Sequence, residues 1–427
     1  MELVNRRATY RLYPTPAQEA ALHAQLKAHR CLYNAALEQR RAAWKRQRIT
    51  LSFAAQCRDL TALRQEEETP LPAQAAQHTL KRVERAFQAF FRRICAGEPP
   101  GYPRFKSQRR FKGWSYPTHG DGWRLLPREG LLHGRLRLSG VGHVRIRGDA
   151  RTKGEPKTCD ITYRHSKWYA SITLACQPQR ACGAASLAFD WGIETFATIA
   201  TDDNCLHSVE NPRFLRQSEE TLKAAYRARD SKHQFSRGWR TANKRIARLH
   251  GAIARQRKDF HHKQSAQMVG AAGAIFTETL HVKNMTTRPK PKQDSTTGQY
   301  VPNGAAAKAR LNKAIVDGAP AQFLSMLRYK AAEAGIVYAE APTRRVKPSQ
   351  TCHHCGRVAK KPLAQRWHSC PCGTTCSRDA NAAWVLLDWG MQQVVSLFLA
   401  WLWLRSNRSQ ELTPYLGVQN LPLEPVA

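Results

Sequence analysis

Three acidic residues stand where apolar patterns leave little room for charge. Asp190 interrupts "LAFDWG", Glu278 closes "AAGAIFTE", and Asp379 opens the helical pattern "DANAAWVLL". Taken singly, an acid in a buried strand is more often a paired or capped structural group. Carboxylates converging from two strands and a helix start repel one another unless a divalent cation joins them. Two Mg²⁺ ions about 3.5–4 Å apart, bridged by such groups, would activate water and stabilise the leaving 3′-oxygen of a phosphodiester. Sequence order does not itself bring the three together.

A second chemistry lies beside Asp379. Five of the twelve cysteines fall in "CHHCGRVAKKPLAQRWHSCPCGTTC", residues 352–376. Cys352-x₂-Cys355 is half of a tetrahedral thiolate site, and Gly356 and Gly373 follow Cys355 and Cys372 as in zinc knuckles. The other half is irregular. Cys370 and Cys372 are separated by one residue, Cys376 follows, and His353, His354 and His368 are substitutes. One structural Zn²⁺ is expected, with Cys370 or Cys376 joining Cys372. The remaining cysteines (31, 57, 95, 159, 176, 182 and 205) have no pairing rhythm. That fits a reducing compartment, and with no apolar h-region near Met1 the expected location is the cytoplasm.

These residues need elements to hold them. Strand patterns are expected at Thr9–Tyr13 and, with period two, from about Trp123 to Gln177, where Arg135, Arg137, Arg145 and Arg147 line a solvent face. Thr15-Pro16-Ala17-Gln18 reads as a capping box before a helix carrying Leu22, Leu26, Tyr33 and Leu37. A second helix places Val83, Phe87, Phe90 and Ile94 on one face. Residues 187–203 read as a hairpin broken at Gly192. Residues 213–268 read as a long basic helical stretch with an Ile246–Leu249–Ile253–Phe260 stripe; its cations, Arg229, Arg257 and Lys263 among them, are expected to contact phosphate. A strand at 271–280, a polar loop at 286–304, a helix near 320–334 and a strand "IVYAEA" follow.

Lys plus Arg is 68 against 32 Asp plus Glu, a formal charge of +36. A polyanion is the expected partner, and nucleic acid is favoured over a membrane. The apolar run 394–404 is shorter than the span of about 20 residues that crosses a bilayer, and reads as a buried or dimer-facing helix.

The motifs "FDWGIETFATIA", "IFTETLHVKNM", "SQTCHHCGRV" and "CGTTCSRDANAA", in this order, resemble the split RuvC-like domain of the transposon-encoded TnpB family, ancestral to type V CRISPR effectors. The N-terminal "YRLYPTPAQEAALHAQLKAHRCLYNAAL" and "RAFQAFFRRICAGEPPGYPRFK" are similar to the same family, and the likeness covers roughly residues 8–388. It implies an α/β fold: a RuvC-like (RNase H) nuclease domain with an inserted zinc ribbon, preceded by an α-helical and antiparallel β-barrel lobe that binds nucleic acid. The implied division is 1–180 for that lobe, 181–350 for the first nuclease parts with the basic insert, 351–376 for the ribbon, 377–404 for the last nuclease part and 405–427 for a tail. The implied activity is Mg²⁺-dependent, RNA-guided DNA cleavage, with guide RNA and target duplex bearing a short flanking motif as partners. Asp190, Glu278 and Asp379 would be the ligands of two Mg²⁺ ions. Counting back from Arg378-Asp379 puts Cys372 at the family's fourth zinc position, which favours Cys352, Cys355, Cys370 and Cys372. Two departures stand out: Cys-x-Cys where the family has Cys-x₂-Cys, and Thr279 where a second acid usually follows the glutamate. A nuclease-inactive RNA-guided binder, a compact type V effector and an unguided resolvase-type nuclease are the other readings.

Overall fold

The computed structural model describes residues 4–65, 71–126, 134–147, 154–177, 180–362 and 365–406, with 397–406 as backbone alone. The chain divides into two compact units: residues 1–178 with 225–251, and residues 179–224 with 252–427.

The first unit begins with β1 (Val4–Tyr13), longer than its sequence pattern. Helix α1 (Pro16–Gln47) starts at the predicted capping box: Gln18 N–H donates to Thr15 Oγ1, Thr15 N–H to Gln18 Oε1, and Pro16 occupies the first turn. Then come α2 (Phe53–Gln65) and α3 (Ala73–Cys95). Burial fades along the predicted α3 face: Val83 is inaccessible, Phe87 and Phe90 are half-buried, and Ile94 is 48% exposed. Strands β2 (Gly113–Tyr116), β3 (Trp123–Leu126), β4 (Arg135–Leu138), β5 (Gly142–Ile146), β6 (Glu155–Arg164) and β7 (Lys167–Cys176) complete an antiparallel sheet of order β2-β6-β7-β1-β5-β4-β3. Among the described residues no ladder joins β2 to β3 at the two ends of this order. Its core is aromatic: Trp114 packs edge-on against Trp168 and stacks on His29 of α1. The alternating arginines of β4 and β5 lie on the exposed face, opposite buried Leu136, Leu138, Val144 and Ile146.

The second unit is built on a five-stranded sheet of order β10-β9-β8-β11-β14, made of β8 (Ala185–Trp191), β9 (Thr195–Thr201), β10 (Leu206–Glu210), β11 (Ala272–Glu278) and β14 (Val337–Ala341). β8, β9 and β10 form an antiparallel meander, while β11 runs parallel to both β8 and β14. The basic stretch, divided between the two units, is not one helix. It comprises α4 (Phe214–Gln217), α5 (Glu219–Asp230) and α6 (Arg237–Ala271). Three of its cations have acid partners within the chain: Arg257 pairs at 2.9 Å with buried Asp317, and the surface pairs Lys263–Asp259 and Arg229–Asp230 leave their cations at least partly open to solvent. Asp317 also accepts the Leu215 and Arg216 N–H groups, which anchors α4.

Beyond β11 come α7 (Val282–Met285), a small ribbon of β12 (Lys292–Gln293) and β13 (Tyr300–Val301) inside the loop read as irregular, and α8 (Ala305–Gly318), which the sequence pattern did not reveal. Helix α9 (Pro320–Ala334) opens on proline and stops at Gly335, whose φ of 68° suits a left-handed cap. Helix α10 (Thr343–Val346), strands β15 (Trp367–Ser369) and β16 (Thr375–Ser377), and α11 (Arg378–Ser406) finish the described chain. The run 394–404 lies in α11, but side chains from 397 and the tail from 407 fall outside the described residues. No described helix is long and apolar enough to cross a membrane.

Period two sorts β8 and β11 between two cores. Leu187, Phe189, Trp191 and Ile275 pack with Phe323, Leu324 and Leu327 of α9 on one face. Ala188, Ala274 and Phe276, with Ala200 and Ala341, pack beneath Ala383, Leu386 and Leu387 of α11 on the other. Alanines on the α11 face admit the helix closely, and Gly390 rests on the Phe276 ring, where a β-carbon would come within 2.1 Å.

Candidate metal centres

Alternation decides where the acids go. Asp190 has the parity of Ala188, and Glu278 that of Ala274 and Phe276, so both carboxylates emerge on the α11 face. The strands pair in parallel with Thr277 opposite Phe189, which sets Glu278 and Asp190 one step further along neighbouring strands. Thr277 Oγ1 donates to Phe189 O at 3.1 Å and locks this end of the ladder. Asp379 lies in the first turn of α11, where Ser377 Oγ accepts the Ala380 N–H at 3.2 Å. Its Oδ2 reaches the β8–β9 turn, 3.9 Å from where a β-carbon on Gly192 would lie.

The three acids therefore crowd one another. The Asp190 carboxyl is pushed well above the ordinary carboxylate range, first by burial, then by the charges of Glu278 and Asp379, with Arg378 opposing. Burial also raises Glu278, against a hydrogen bond from Thr343. The same Thr343 hydroxyl lies 2.8 Å from Thr279 O, so the first residue of α10 braces the end of β11. Among the described residues no Lys or Arg pairs with any of the three carboxylates. The residues present suit hard divalent cations: oxygen donors only, negative, and with no Lys or Arg ion-paired to them among the described residues.

The cysteines close more tightly. The Sγ atoms of Cys352, Cys355, Cys370 and Cys372 all lie within 4.8 Å of one another, the one such group of His, Cys, Asp or Glu donors among the described residues. Cys352 and Cys372 are 3.8 Å apart, and Cys355 and Cys370 3.6 Å. A tetrahedron with Zn–S bonds of about 2.3 Å has edges of about 3.8 Å, so the four sulfurs fit zinc. Each pair sits in a tight turn: Gly356 N–H donates to Cys352 O and Gly373 N–H to Cys370 O, with both glycines at positive φ, 71° and 91°. Hydrogen bonding to Thr374 lowers the Cys372 thiol to about 5, already favouring the thiolate that a metal needs.

Cys376 stands outside the group for a topological reason. Cys370 and Cys372 occupy the turn between β15 and β16, whereas Cys376 is a ladder residue of β16 opposite His368. His353, His354 and His368 are not in the group either. Sequence reasoning missed Asn381, two residues after Asp379 and fully buried, whose side-chain amide bonds to the backbone of Pro348, Thr351 and His353. A polar residue inside the apolar "ANAAWVLL" was the available signal.

Known proteins resemble this chain in sequence and fold. Residues 165–288 match the family OrfB_IS605, described as "Probable transposase". Residues 321–386 match "Cas12f1-like, TNB domain", and residues 1–48 match HTH_OrfB_IS605, a "Helix-turn-helix domain". Among the described residues of that stretch, 4–48, stand β1 and the single helix α1, without a helix–turn–helix. A Streptomyces pristinaespiralis protein named "Putative RNA-guided DNA endonuclease" is 29% identical over 407 residues, covering 92% of this chain and 90% of that one. The Escherichia coli K12 "Putative RNA-guided DNA endonuclease InsQ" is 28% identical over 317 residues, 73% of each chain. A solved structure titled "Cryo-EM structure of the Cas12f1-sgRNA-target DNA complex" shares the fold at a TM-score of 0.55 and 12% identity, covering 90% of this chain and 99% of that one.

The fold is thus RuvC-like, the class of nuclease sheets that carry acids on neighbouring strands and a packed helix. Over residues 1–48, 165–288 and 321–386 the chain resembles the TnpB family, in the same order as its motifs.

Proposed function

We propose that the protein is an RNA-guided DNA endonuclease that hydrolyses phosphodiesters of a target duplex, with Asp190, Glu278 and Asp379 as its catalytic residues. The observation that carries the reading is the mutual repulsion of these three carboxylates where the sheet meets α11, which no Lys or Arg ion pair relieves among the described residues. The names of the relatives support guide RNA and DNA as partners. Two Mg²⁺ ions bound there would supply an activated water and charge neutralisation at the leaving 3′-oxygen. Asp190 and Glu278, fixed on adjacent strands, hold one wall of the site, and Asp379 approaches from α11. Their negative charge keeps the scissile phosphate from seating without cations, so cutting depends on ion binding.

In the same reading Cys352, Cys355, Cys370 and Cys372 hold one structural Zn²⁺. All four positions are filled by thiolates, which leaves no open site for chemistry. The first unit, with its exposed arginine sheet face, is the lobe that holds the guide–target duplex by backbone and shape, and a short flanking DNA motif is read there. Pairing with the guide reads the rest. The protein works in the cytoplasm on the cell's DNA.

Alanine variants of the three acids test this, using wild-type and variant protein purified with its guide RNA. Each variant should lose cleavage by several orders of magnitude, the scale for removing a group that acts in the transition state, and keep guided binding in a gel shift. A variant that cuts at wild-type rate does not hold the ions. A wild type that binds and never cuts in Mg²⁺ or Mn²⁺ is a binder, not a nuclease.

A further inference from the structure

The first turn of α11 carries Asp379 but cannot orient it through its own hydrogen bonds, because the first four N–H groups of a helix lack intrahelical partners. Whatever grips that turn sets where the carboxylate points. Two side chains grip it from the cysteine side. The Arg378 guanidinium donates to Pro362 O at 3.1 Å and to Ser349 Oγ at 3.3 Å, while its N–H donates to Arg366 O at 2.9 Å. Asn381 does more. Its Nδ2 donates to Thr351 O at 2.6 Å and Pro348 O at 3.3 Å, and its Oδ1 accepts the His353 N–H at 3.2 Å and lies 3.1 Å from His353 Nδ1.

A primary amide offers two donors and two acceptor positions, and all are used here. Thr351 and His353 flank Cys352 in the chain, so the amide holds the knuckle backbone on both sides of a sulfur that belongs to the four-cysteine group. The side chain is fully buried, and its position is specified by bonds on every side. Core packing alone would be satisfied by an apolar residue at this position; the amide adds a directional link between two sites.

We infer that Asn381 is a positioning residue that clamps the cysteine knuckle to the first turn of α11, so that Asp379 faces Asp190 and Glu278 only while the knuckle is closed. This rests on the proposed role of the three acids. The knuckle thereby becomes part of the ion site without touching an ion. Partners outside the first ligand sphere act this way in metal sites, and their loss weakens metal binding by roughly 10- to 100-fold.

The test uses the full-length, guide-bound protein carrying Asn381→Ala, with Asn381→Ser as the milder variant should alanine not fold. Three quantities are read: zinc per chain by metal analysis, target binding by gel shift, and Mn²⁺ affinity by electron paramagnetic resonance. Zinc should stay at the wild-type value and target binding within about twofold. Mn²⁺ affinity should fall by roughly 10- to 100-fold, with cleavage recovering in excess Mn²⁺. Unchanged Mn²⁺ affinity in a folded variant overturns the inference. So does loss of zinc in parallel with Mn²⁺, because Asn381 would then hold the cysteines together rather than aim the aspartate. If the wild type binds Mn²⁺ and never cuts, the nuclease reading fails while the clamp is still judged by Mn²⁺ affinity.

Discussion

Asp190 lies between Phe189 and Trp191, two aromatic residues of the core, and its carboxyl is raised by burial and by Glu278 and Asp379. The folded protein therefore binds a proton that the unfolded chain has released. In Mg²⁺-free buffer this makes stability rise as pH falls from the raised folded value toward 3.8, and fall as pH rises through it. Asp190→Asn removes the repelling charge at every pH. At neutral pH without Mg²⁺ the variant should melt a few degrees above wild type, on the scale of a change of about 1 kcal/mol. Added Mg²⁺ should raise the wild-type melting temperature and leave the variant's nearly unmoved. A variant that melts lower than wild type in Mg²⁺-free buffer would show that Asp190 is a paired structural acid. The trade is a common one: an active-site charge costs stability that function requires.

At the level of elements, α11 and the knuckle carry the argument. Gly390→Ala would drive a β-carbon to within 2.1 Å of Phe276 Cγ. The usual gain of about 1 kcal/mol for alanine over glycine in a helix should be overwhelmed by overpacking of about 1–3 kcal/mol or more. Gly270, in α6 with nothing within 4 Å of a built β-carbon, is the control: Gly270→Ala should stabilise by about 0.4–1 kcal/mol. Urea unfolding midpoints that move in opposite directions would bear out the close approach of α11 to β11. In the knuckle, Cys352→Ser should lose the zinc, whereas Cys376→Ser should keep it, because Cys376 belongs to the β15–β16 ladder. Metal analysis of the two purified variants decides between Cys370 and Cys376; zinc lost from Cys376→Ser would exclude the four-cysteine set.

Across the whole molecule, the charge of +36 has a local consequence in the first unit. Arg124 stands opposite Arg137, Arg137 opposite His143, and Arg135 opposite Arg145, all on the exposed face of β3, β4 and β5. Among the described residues no carboxylate pairs with these four arginines. Like charges directly opposite in a sheet destabilise it, so the arrangement suits a protein that spends its working life against a polyanion. Arg135→Thr should stabilise the free protein by about 0.2–1 kcal/mol and weaken guide–target binding equally for matched and unmatched flanking DNA. The slope of log affinity against log salt should flatten by about 0.7–0.9 for each phosphate the variant no longer neutralises. Melting curves and salt-titrated gel shifts measure both; an unchanged slope would remove this face from the interface.

What was legible in the sequence was local. Binary patterning of "LAFDWG" and "AAGAIFTE", the Thr15–Gln18 box and the Pro320–Gly335 limits of α9 are read within a few residues, and so appeared before any fold was known. The same holds for the cysteine spacing and the acids at strand ends. The motif order carried the family, because several weak motifs in one order are jointly specific. Other features depend on chain-distant partners. Arg257 looked like a free cation until Asp317, sixty residues on, came to meet it. By spacing alone Cys370 and Cys376 both stood open and only the resemblance favoured Cys370; the hairpin puts Cys370 in its turn and Cys376 in its ladder. That Asp190 and Glu278 share the face on which α11 lies follows from the parallel register of β8 with β11, and register is set by which side chains pack on which side. Asn381 shows the limit most clearly: its residue type was visible, but its partners come from a loop about thirty residues earlier, and only the folded chain brings them within reach.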